Sequence, residues 1–415
     1  RGSLVSRTLA GACRGWCGGT RCVPRRGARV GPGGVRVRCA GARRLWAVPR
    51  LRVVSQEPVY TEGGLVYAAA LRAGDLRLLQ RDPAPEHPGL VKLLYGGVFL
   101  LSPSLWADGQ QDPLPSPLPE GEGARALSAV FGVLHVLLLA LVSPAAGALL
   151  AIHSYTVKYT AQVYLEAVPM LMASVSVLAY MGARFQGPGA RAERSALAPG
   201  PWNLASSSWR EPLLFGAISA VALGLAAAGK YVYAVAGLAV AADAVWRLVE
   251  ARRPRGLLVL FGWGGLALLV FFAANPYLWP DPFGRLFDSL AFHAAYSQGA
   301  HVQQSGYPWY QPFVWLVAPM PVGWHPGIIV TPLDPLTAAL GVGGLRPAWR
   351  AYGGRGRVIV LWWAIGLAFT LVWSTKWPQY SLIMTAPMCL CAAEGLRALW
   401  LRLPSGVRQA LTSYE

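Results

Sequence analysis

Residues 256–273 read GLLVLFGWGGLALLVFFA, eighteen residues with no charge and no proline, directly behind Arg252, Arg253 and Arg255. A helix of that length rises ~27 Å, close to the ~30 Å of hydrocarbon in a bilayer. Apolar on every side, it belongs either at the centre of a very large core or in a membrane. The rest of the chain decides between them. Further apolar segments run from Ala126 to Val142, Ser143 to Val157, Gln162 to Tyr180, Pro212 to Ala228, Val232 to Leu248, Gly327 to Leu345, Val358 to Val372 and Tyr380 to Leu396, making nine in all. Only 13% of the 415 residues are charged, against ~25% in soluble domains, and the mean hydropathy is +0.39. The expected fold class is an all-α polytopic membrane protein. The Ser143-Pro144 step makes the first two segments read as a helical hairpin or as one long bent helix.

The net charge of +18 suggests a nucleic-acid binder by its sum but not by its distribution. Residues 1–55 hold thirteen arginines and no Asp, Glu or Lys. Their Cys13, Cys17, Cys22 and Cys39 lack the paired spacing and the nearby histidine of a zinc site. With neither helical periodicity nor a signal-peptide core, this segment reads as a disordered or non-native basic leader, and a first transmembrane helix is expected to be missing. Cys389 and Cys391 read as buried thiols. Neither a nucleic-acid partner nor a structural metal is expected.

Positively charged short loops stay on the cytoplasmic side. Arg184, Arg191, Arg194 and Arg210 flank one connection, Arg252, Arg253 and Arg255 a second, Arg346, Arg350, Arg355 and Arg357 a third, and Arg397, Arg402 and Arg408 the C-terminal tail. All four share one face if the hairpin counts as two crossings. The expected order is then a first outer loop over 56–125 with an interfacial helix at Val91–Leu101, transmembrane helices over 126–273, a second outer loop over 274–326, C-terminal transmembrane helices over 327–400 and a cytoplasmic tail over 401–415. The outer loops hold most of the acids and polar aromatics. Long loops in compact proteins are usually functional, so chemistry is expected on the outer face.

Several short patterns carry that chemistry. Gln56-Glu57-Pro58 opens the first loop, and Glu86-His87-Pro88-Gly89-Leu90 precedes the interfacial helix. Tyr164-Leu165-Glu166 begins an apolar segment; Gly224-Leu225 and Gly229-Lys230-Tyr231 lie at the end of another; Lys376, Tyr380 and Pro387 open the last. In this order they resemble the motifs of the GT-C superfamily of membrane glycosyltransferases, nearest the branch of protein O-mannosyltransferases and lipid A aminoarabinose transferases. The resemblance extends from about Gln56 to Trp400 and departs at Gln56, where the family has its first-loop aspartate. An amide accepts no proton at neutral pH.

The resemblance implies a GT-C-like helical bundle with an outer-face loop subdomain, in a bacterial or archaeal cell membrane. It implies transfer of a sugar from a polyprenyl-phosphate carrier to a lipid, glycan or protein acceptor, with a divalent metal left open. Glu57, Glu86 and Glu166 are the candidate bases, since proton removal requires a carboxylate within hydrogen-bond reach. Lys230, Lys376, Tyr380 and Arg285 are candidates for holding the donor phosphate, and His87 and Asp281 for contacts with the sugar or the loops.

Plainer roles exist for each. A carboxylate such as Glu166 is favoured at a helix N-terminus by the macrodipole alone, and Lys230 and Lys376 can snorkel to headgroups. His87 suits a structural turn beside Pro88, and the aromatics from Tyr277 to Trp324 suit an interfacial belt. A carrier-binding homologue without activity and a transporter are the competing readings. The polar residues cluster at helix ends rather than at mid-helix, which disfavours the transporter.

Overall fold

The computed structural model describes residues 44–45, 47–54, 56–102, 121–183, 210–252, 256–321 and 333–412. Among these the chain is helical throughout, with no strand. Residues 1–43 of the basic leader lie outside the described residues.

The first loop is more ordered than its composition suggests. Helix α1 (Glu57–Ala73) starts with Pro58 in its first turn and stops at Gly74, whose φ of 66° is left-handed. It packs along α2 (Leu90–Leu100), the helix expected at the interface. The pair approaches closely through glycines: a Cβ at Gly96 would stand 2.9 Å from the Tyr67 Cβ and 3.0 Å from the Gly64 carbonyl oxygen.

Helix α3 (Gly121–Val142) is the first long apolar element. The chain then turns at Ser143, whose side chain caps α4 (Pro144–Ile152), and continues as α5 (Ser154–Tyr159). The expected hairpin is present, but its second arm is two short helices broken at His153, not one straight crossing. At nine residues α4 reaches only ~14 Å. The break is tolerated because protein satisfies it. Asp334 accepts from the Ser154 N–H (2.9 Å) and hydroxyl (3.0 Å), and the Ser154 hydroxyl oxygen accepts the Met320 N–H (2.9 Å).

The bundle continues with α6 (Ala167–Ala183), α7 (Arg210–Gly229), α8 (Val235–Glu250, preceded by a 3-10 turn at Tyr231–Ala234) and α9 (Gly256–Ala273). The second loop forms α10 (Pro282–Ser297), α11 (Ala300–Ser305) and α12 (Gln311–Val317). Residues 327–332 of the expected Gly327–Leu345 span are outside the described residues; most of its remainder is α13 (Asp334–Gly343), which gives way at Gly344 to α14 (Leu345–Gly354). Then follow α15 (Arg357–Val372), α16 (Thr385–Arg402, preceded by 3-10 turns at Pro378–Met384) and α17 (Ser405–Thr412).

Among the described residues, four helical stretches are long and apolar enough to cross a membrane: Glu122–Val142, Tyr231–Glu250, Gly256–Ala273 and Pro378–Arg402. Ala167–Gly182, Leu213–Gly229 and Arg357–Val372 are apolar but shorter. The chain is thus an all-α membrane protein with a loop subdomain, as its sequence implies.

Two ion-pair clusters fix the ends of the bundle. At one end Arg357 donates to Asp243 (2.7 Å), which also accepts from Arg247 (3.1 Å) and the Tyr180 hydroxyl (2.8 Å). At the other Arg125 grips both carboxylate oxygens of Glu57 at 2.7 Å and donates to the carbonyls of Val48 (3.2 Å) and Leu51 (2.9 Å). The last part of the leader is therefore structural. Ala47, Val48 and Leu51 are buried, and Arg44 is wholly buried, bonded to the Leu150 carbonyl (2.8 Å) and the Thr160 hydroxyl (3.1 Å).

Removing one partner of a buried ion pair leaves an uncompensated charge, typically at ~3–5 kcal/mol. Arg125→Met is therefore expected to lower the melting midpoint of the detergent-solubilised protein strongly. The double variant Arg125→Met, Glu57→Leu is expected to lose less than Arg125→Met alone. Equal losses would show that the two side chains are not coupled.

Candidate active site

The segment between α5 and α6 is irregular, and its neighbours hold its shape. Glu57 accepts the Val163 N–H (3.0 Å), Gln162 donates to the Arg52 carbonyl (2.8 Å) and the Tyr95 hydroxyl donates to the Tyr164 carbonyl. Glu166 is delivered, fully buried, just before the first residue of α6. Lys230 sits in extended conformation (φ −163°, ψ 123°) between α7 and the turn that opens α8, and is 4% exposed. Its ammonium pairs with Glu166 Oε1 and stands 5.3 Å from the Tyr380 ring centroid. Glu166 Oε2 is buried with no partner.

Both loops converge on this pair. The Asp82–Pro88 turn is tied from within by Lys92, which donates to Asp82 (2.7 Å) and to the carbonyls of Ala84 (2.7 Å) and His87 (2.9 Å). From the second loop, Asn275 accepts the Gly89 N–H (2.7 Å), Arg285 donates to the Gln80 carbonyl (3.3 Å), Ser289 to the Pro85 carbonyl and His293 Nε2 to the Glu86 carbonyl (2.8 Å). A carbonyl can only accept, so the proton of His293 is on Nε2 and, in the neutral ring, Nδ1 keeps its lone pair. The His87 and His293 rings face each other at 5.4 Å, and Trp373 lies 6.1 Å from both His293 and Tyr380. The Trp373 indole N–H is buried without a partner.

His87, Lys230, Tyr231, Val232, His293, Trp373 and Tyr380 line one narrow cleft of about 10 Å³, the room of about one water molecule. It contains a cation and two aromatic walls, with an unpaired carboxylate oxygen on the partner of that cation. Buried polar atoms left unpaired are costly, and here two of them belong to the cleft wall and to the ion pair behind it. The arrangement suits a ligand that brings both negative charge and hydrogen-bonding groups.

Of the residues singled out from sequence, Glu166, Lys230, His87 and Tyr380 meet here, and Glu86 adjoins through its backbone. The others are placed differently. Glu57 already accepts four hydrogen bonds, the two from Arg125 plus the N–H groups of Val54 (3.2 Å) and Val163, which fills its lone pairs. It therefore positions the Glu166 segment and has no capacity left for a proton. Lys376 spends all three N–H bonds on the carbonyls of Thr370 (2.9 Å), Leu371 (2.8 Å) and Trp373, closing the C-terminal end of α15. Arg285 also donates to the Tyr277 carbonyl (2.7 Å) and joins the two loops. Asp281 is exposed and caps α10 through the Gly284 N–H (3.0 Å).

Sequence reasoning passed over Lys92, Arg125 and Trp373. Lys92 had a signal: it is the one charge within an otherwise apolar helix. Among the described residues no group of three or more His, Cys, Asp and Glu is placed to hold a metal ion. The cleft fits a divalent cation poorly, because its two imidazoles share it with the ammonium of Lys230.

The fold resembles two solved structures of ArnT from Cupriavidus metallidurans. The apo structure is 14% identical, with a TM-score of 0.52 over 89% of this chain and 59% of that one. The structure bound to undecaprenyl phosphate is 13% identical, with a TM-score of 0.53 over 91% and 61%. The chain has a GT-C fold. It spans about three fifths of the length of the solved structures it matches. No family model and no curated protein matches the sequence. Within the GT-C fold of this chain, the cleft lies where the loop subdomain meets the ends of α6, α7, α8 and α15.

Burial, then the ammoniums of Lys230 and Lys92, push the pKa of His87 well below the ordinary histidine range. Burial pushes His293 down as well and lifts the Glu86 carboxyl above the usual range. A depressed histidine is neutral in the folded state, while the unfolded chain binds a proton below ~6.5, so stability falls as pH drops through that value. His87→Gln is expected to reduce the fall in melting midpoint between pH 7.5 and 5.5. An unchanged fall would show that His87 titrates normally in the folded protein.

Proposed function

We propose that the protein is a membrane glycosyltransferase that moves a sugar from a polyprenyl-phosphate carrier to an acceptor on the non-cytoplasmic face. The observation that carries this reading is the buried Glu166–Lys230 pair, with one carboxylate oxygen unpartnered, behind an aromatic-walled cleft. The GT-C fold supports it, as does the undecaprenyl phosphate bound to the similar ArnT structure. The outer-face orientation is supported by the arginines gathered at the opposite helix ends.

In this reading a hydroxyl or amine of the acceptor attacks the anomeric carbon as the bond from that carbon to the phosphate oxygen breaks. The electron pair of the broken bond leaves with the polyprenyl phosphate, and configuration at carbon inverts. The acceptor's proton passes to Glu166 Oε2. Lys230, fixed by Glu166 Oε1 in a site of low polarity, meets the growing charge on the phosphate, where an ammonium is worth more than in water. Tyr380 and Trp373 offer stacking faces to the sugar, and the Trp373 N–H a donor. The cleft as it stands admits a water but not a pyranose, so donor binding parts the walls formed by the Pro85–His87 turn and α10.

Gln56 supports a second reading. Its amide oxygen is buried without a hydrogen-bond partner at the start of α1, where the GT-C pattern has an acid. The chain would then bind the lipid carrier without transferring its sugar.

Release of polyprenyl phosphate from a radiolabelled donor by the purified protein separates the two. For an active enzyme, Glu166→Gln is expected to cut turnover on the order of 10²–10⁴-fold, the usual contribution of general base catalysis. Lys230→Met is expected to weaken carrier binding as well. Undiminished turnover in Glu166→Gln would overturn the assignment of the base. No release by the wild type or by Gln56→Asp, with carrier binding intact, would favour the binder.

A further inference from the structure

A second, roomier cavity lies at the end of the bundle opposite the candidate active site. It measures about 450 Å³ and is bounded by α13, α14 and α16, with Gly343, Arg346, Arg350, Gly395, Leu399 and Arg402 in its wall. Its place follows from α16 and the turns before it. Tyr380 touches the catalytic cleft near the start of Pro378–Arg402, and Arg402 is the last residue of that 25-residue stretch, ~37 Å along the helix axis.

Three arginines around one cavity form an unbalanced charge. Among the described residues, no hydrogen bond or ion pair joins Arg346, Arg350 or Arg402 to any neighbour, and all three are exposed. Glu394, next to Gly395, is engaged by Arg397 (3.2 Å). Arg346 and Arg350 are four residues apart on one helix, where like charges repel weakly, and an anion held between them would offset that repulsion. Guanidinium is the group best matched to phosphate oxygens. The rest of the wall is small or aliphatic, Ala339, Leu340, Gly343, Gly395, Ala398 and Leu399, and Leu399 is 51% exposed. Arginines beside exposed aliphatic side chains at the ends of membrane helices match a phosphate with acyl chains attached.

We propose that this cavity is a binding site for the phosphate headgroup of an anionic phospholipid of the leaflet opposite the catalytic cleft. The arginines hold the phosphate, and the aliphatic part of the wall lies along the acyl chains. The proposal is independent of the sugar-transfer reading, since it uses no residue of the cleft.

Native mass spectrometry of the delipidated full chain in detergent tests it, with phosphatidylglycerol, phosphatidylcholine and inorganic phosphate as probes. The expected result is retention of one phosphatidylglycerol at concentrations where phosphatidylcholine is not retained and inorganic phosphate does not compete. The triple variant Arg346→Gln, Arg350→Gln, Arg402→Gln is expected to weaken that binding by roughly tenfold or more. A second variant separates a built cavity from diffuse charge. A Cβ at Gly343 meets nothing within 4 Å, so Gly343→Phe fills the cavity and leaves every arginine in place; it is expected to weaken phosphatidylglycerol binding too. Equal retention of both lipids, or unchanged phosphatidylglycerol binding in either variant, would overturn the proposal. Competition by inorganic phosphate would identify the ligand as a soluble anion and overturn the lipid assignment.

Discussion

A carboxylate and an ammonium, Glu166 and Lys230, are held against each other almost entirely out of solvent. Burying two charges costs several kcal/mol per ion before their attraction offsets it, so the surrounding structure has to hold the pair in place. Each member stands where a helix begins or ends, Glu166 ahead of α6 and Lys230 between α7 and α8. The carboxylate is aimed by the 160–166 segment, whose shape depends on Glu57, and Glu57 is in turn saturated by Arg125. Disturbing any part of that series is expected to move Glu166 Oε2, the oxygen of the pair that has no partner. This is why acids that look equivalent in sequence do different work: Glu57 is spent on structure, and Glu166 keeps a free lone pair.

The two long loops close the cleft from the other side. Their joining contacts are mostly side chain to backbone, Asn275 to Gly89, Ser289 to Pro85, His293 to Glu86 and Arg285 to Gln80. Such contacts fix a turn without needing a particular side chain on it. The Pro85–His87 turn can therefore present His87 while its neighbours serve only as scaffold. The helix spans put this assembly at one end of the bundle and the Asp243–Arg357 cluster and the arginine cavity at the other, so the two ends carry different sets of charged groups.

Much of this was legible in the sequence. Uncharged runs such as Gly256–Ala273 announce membrane helices because hydrocarbon disfavours charge, and the acidic and aromatic loops pointed to the end of the bundle where the candidate cleft lies. Glu166, Lys230, His87 and Tyr380 were also legible, as polar groups at the ends of apolar segments. What sequence did not distinguish was which lysine serves the cleft. Lys230 and Lys376 occupy similar positions in the pattern, and only the fold shows that Lys376 is consumed by the carbonyls ending α15. Helix α1 was missed because its glycines and modest apolar content read as loop, while its stability comes from packing against α2. The broken return at His153 was hidden because its satisfaction depends on Asp334, distant in sequence.

The central claim is that the Glu166–Lys230 pair is the place where the lipid carrier's phosphate binds. A structure of the full chain with polyprenyl phosphate, determined in a lipid nanodisc, tests it most directly. The account predicts phosphate density within hydrogen-bond distance of Lys230 Nζ, with the Tyr380 and Trp373 rings flanking it and the prenyl chain leaving between helices. Phosphate density elsewhere, with Lys230 still closed on Glu166 and the cleft unchanged, would contradict it.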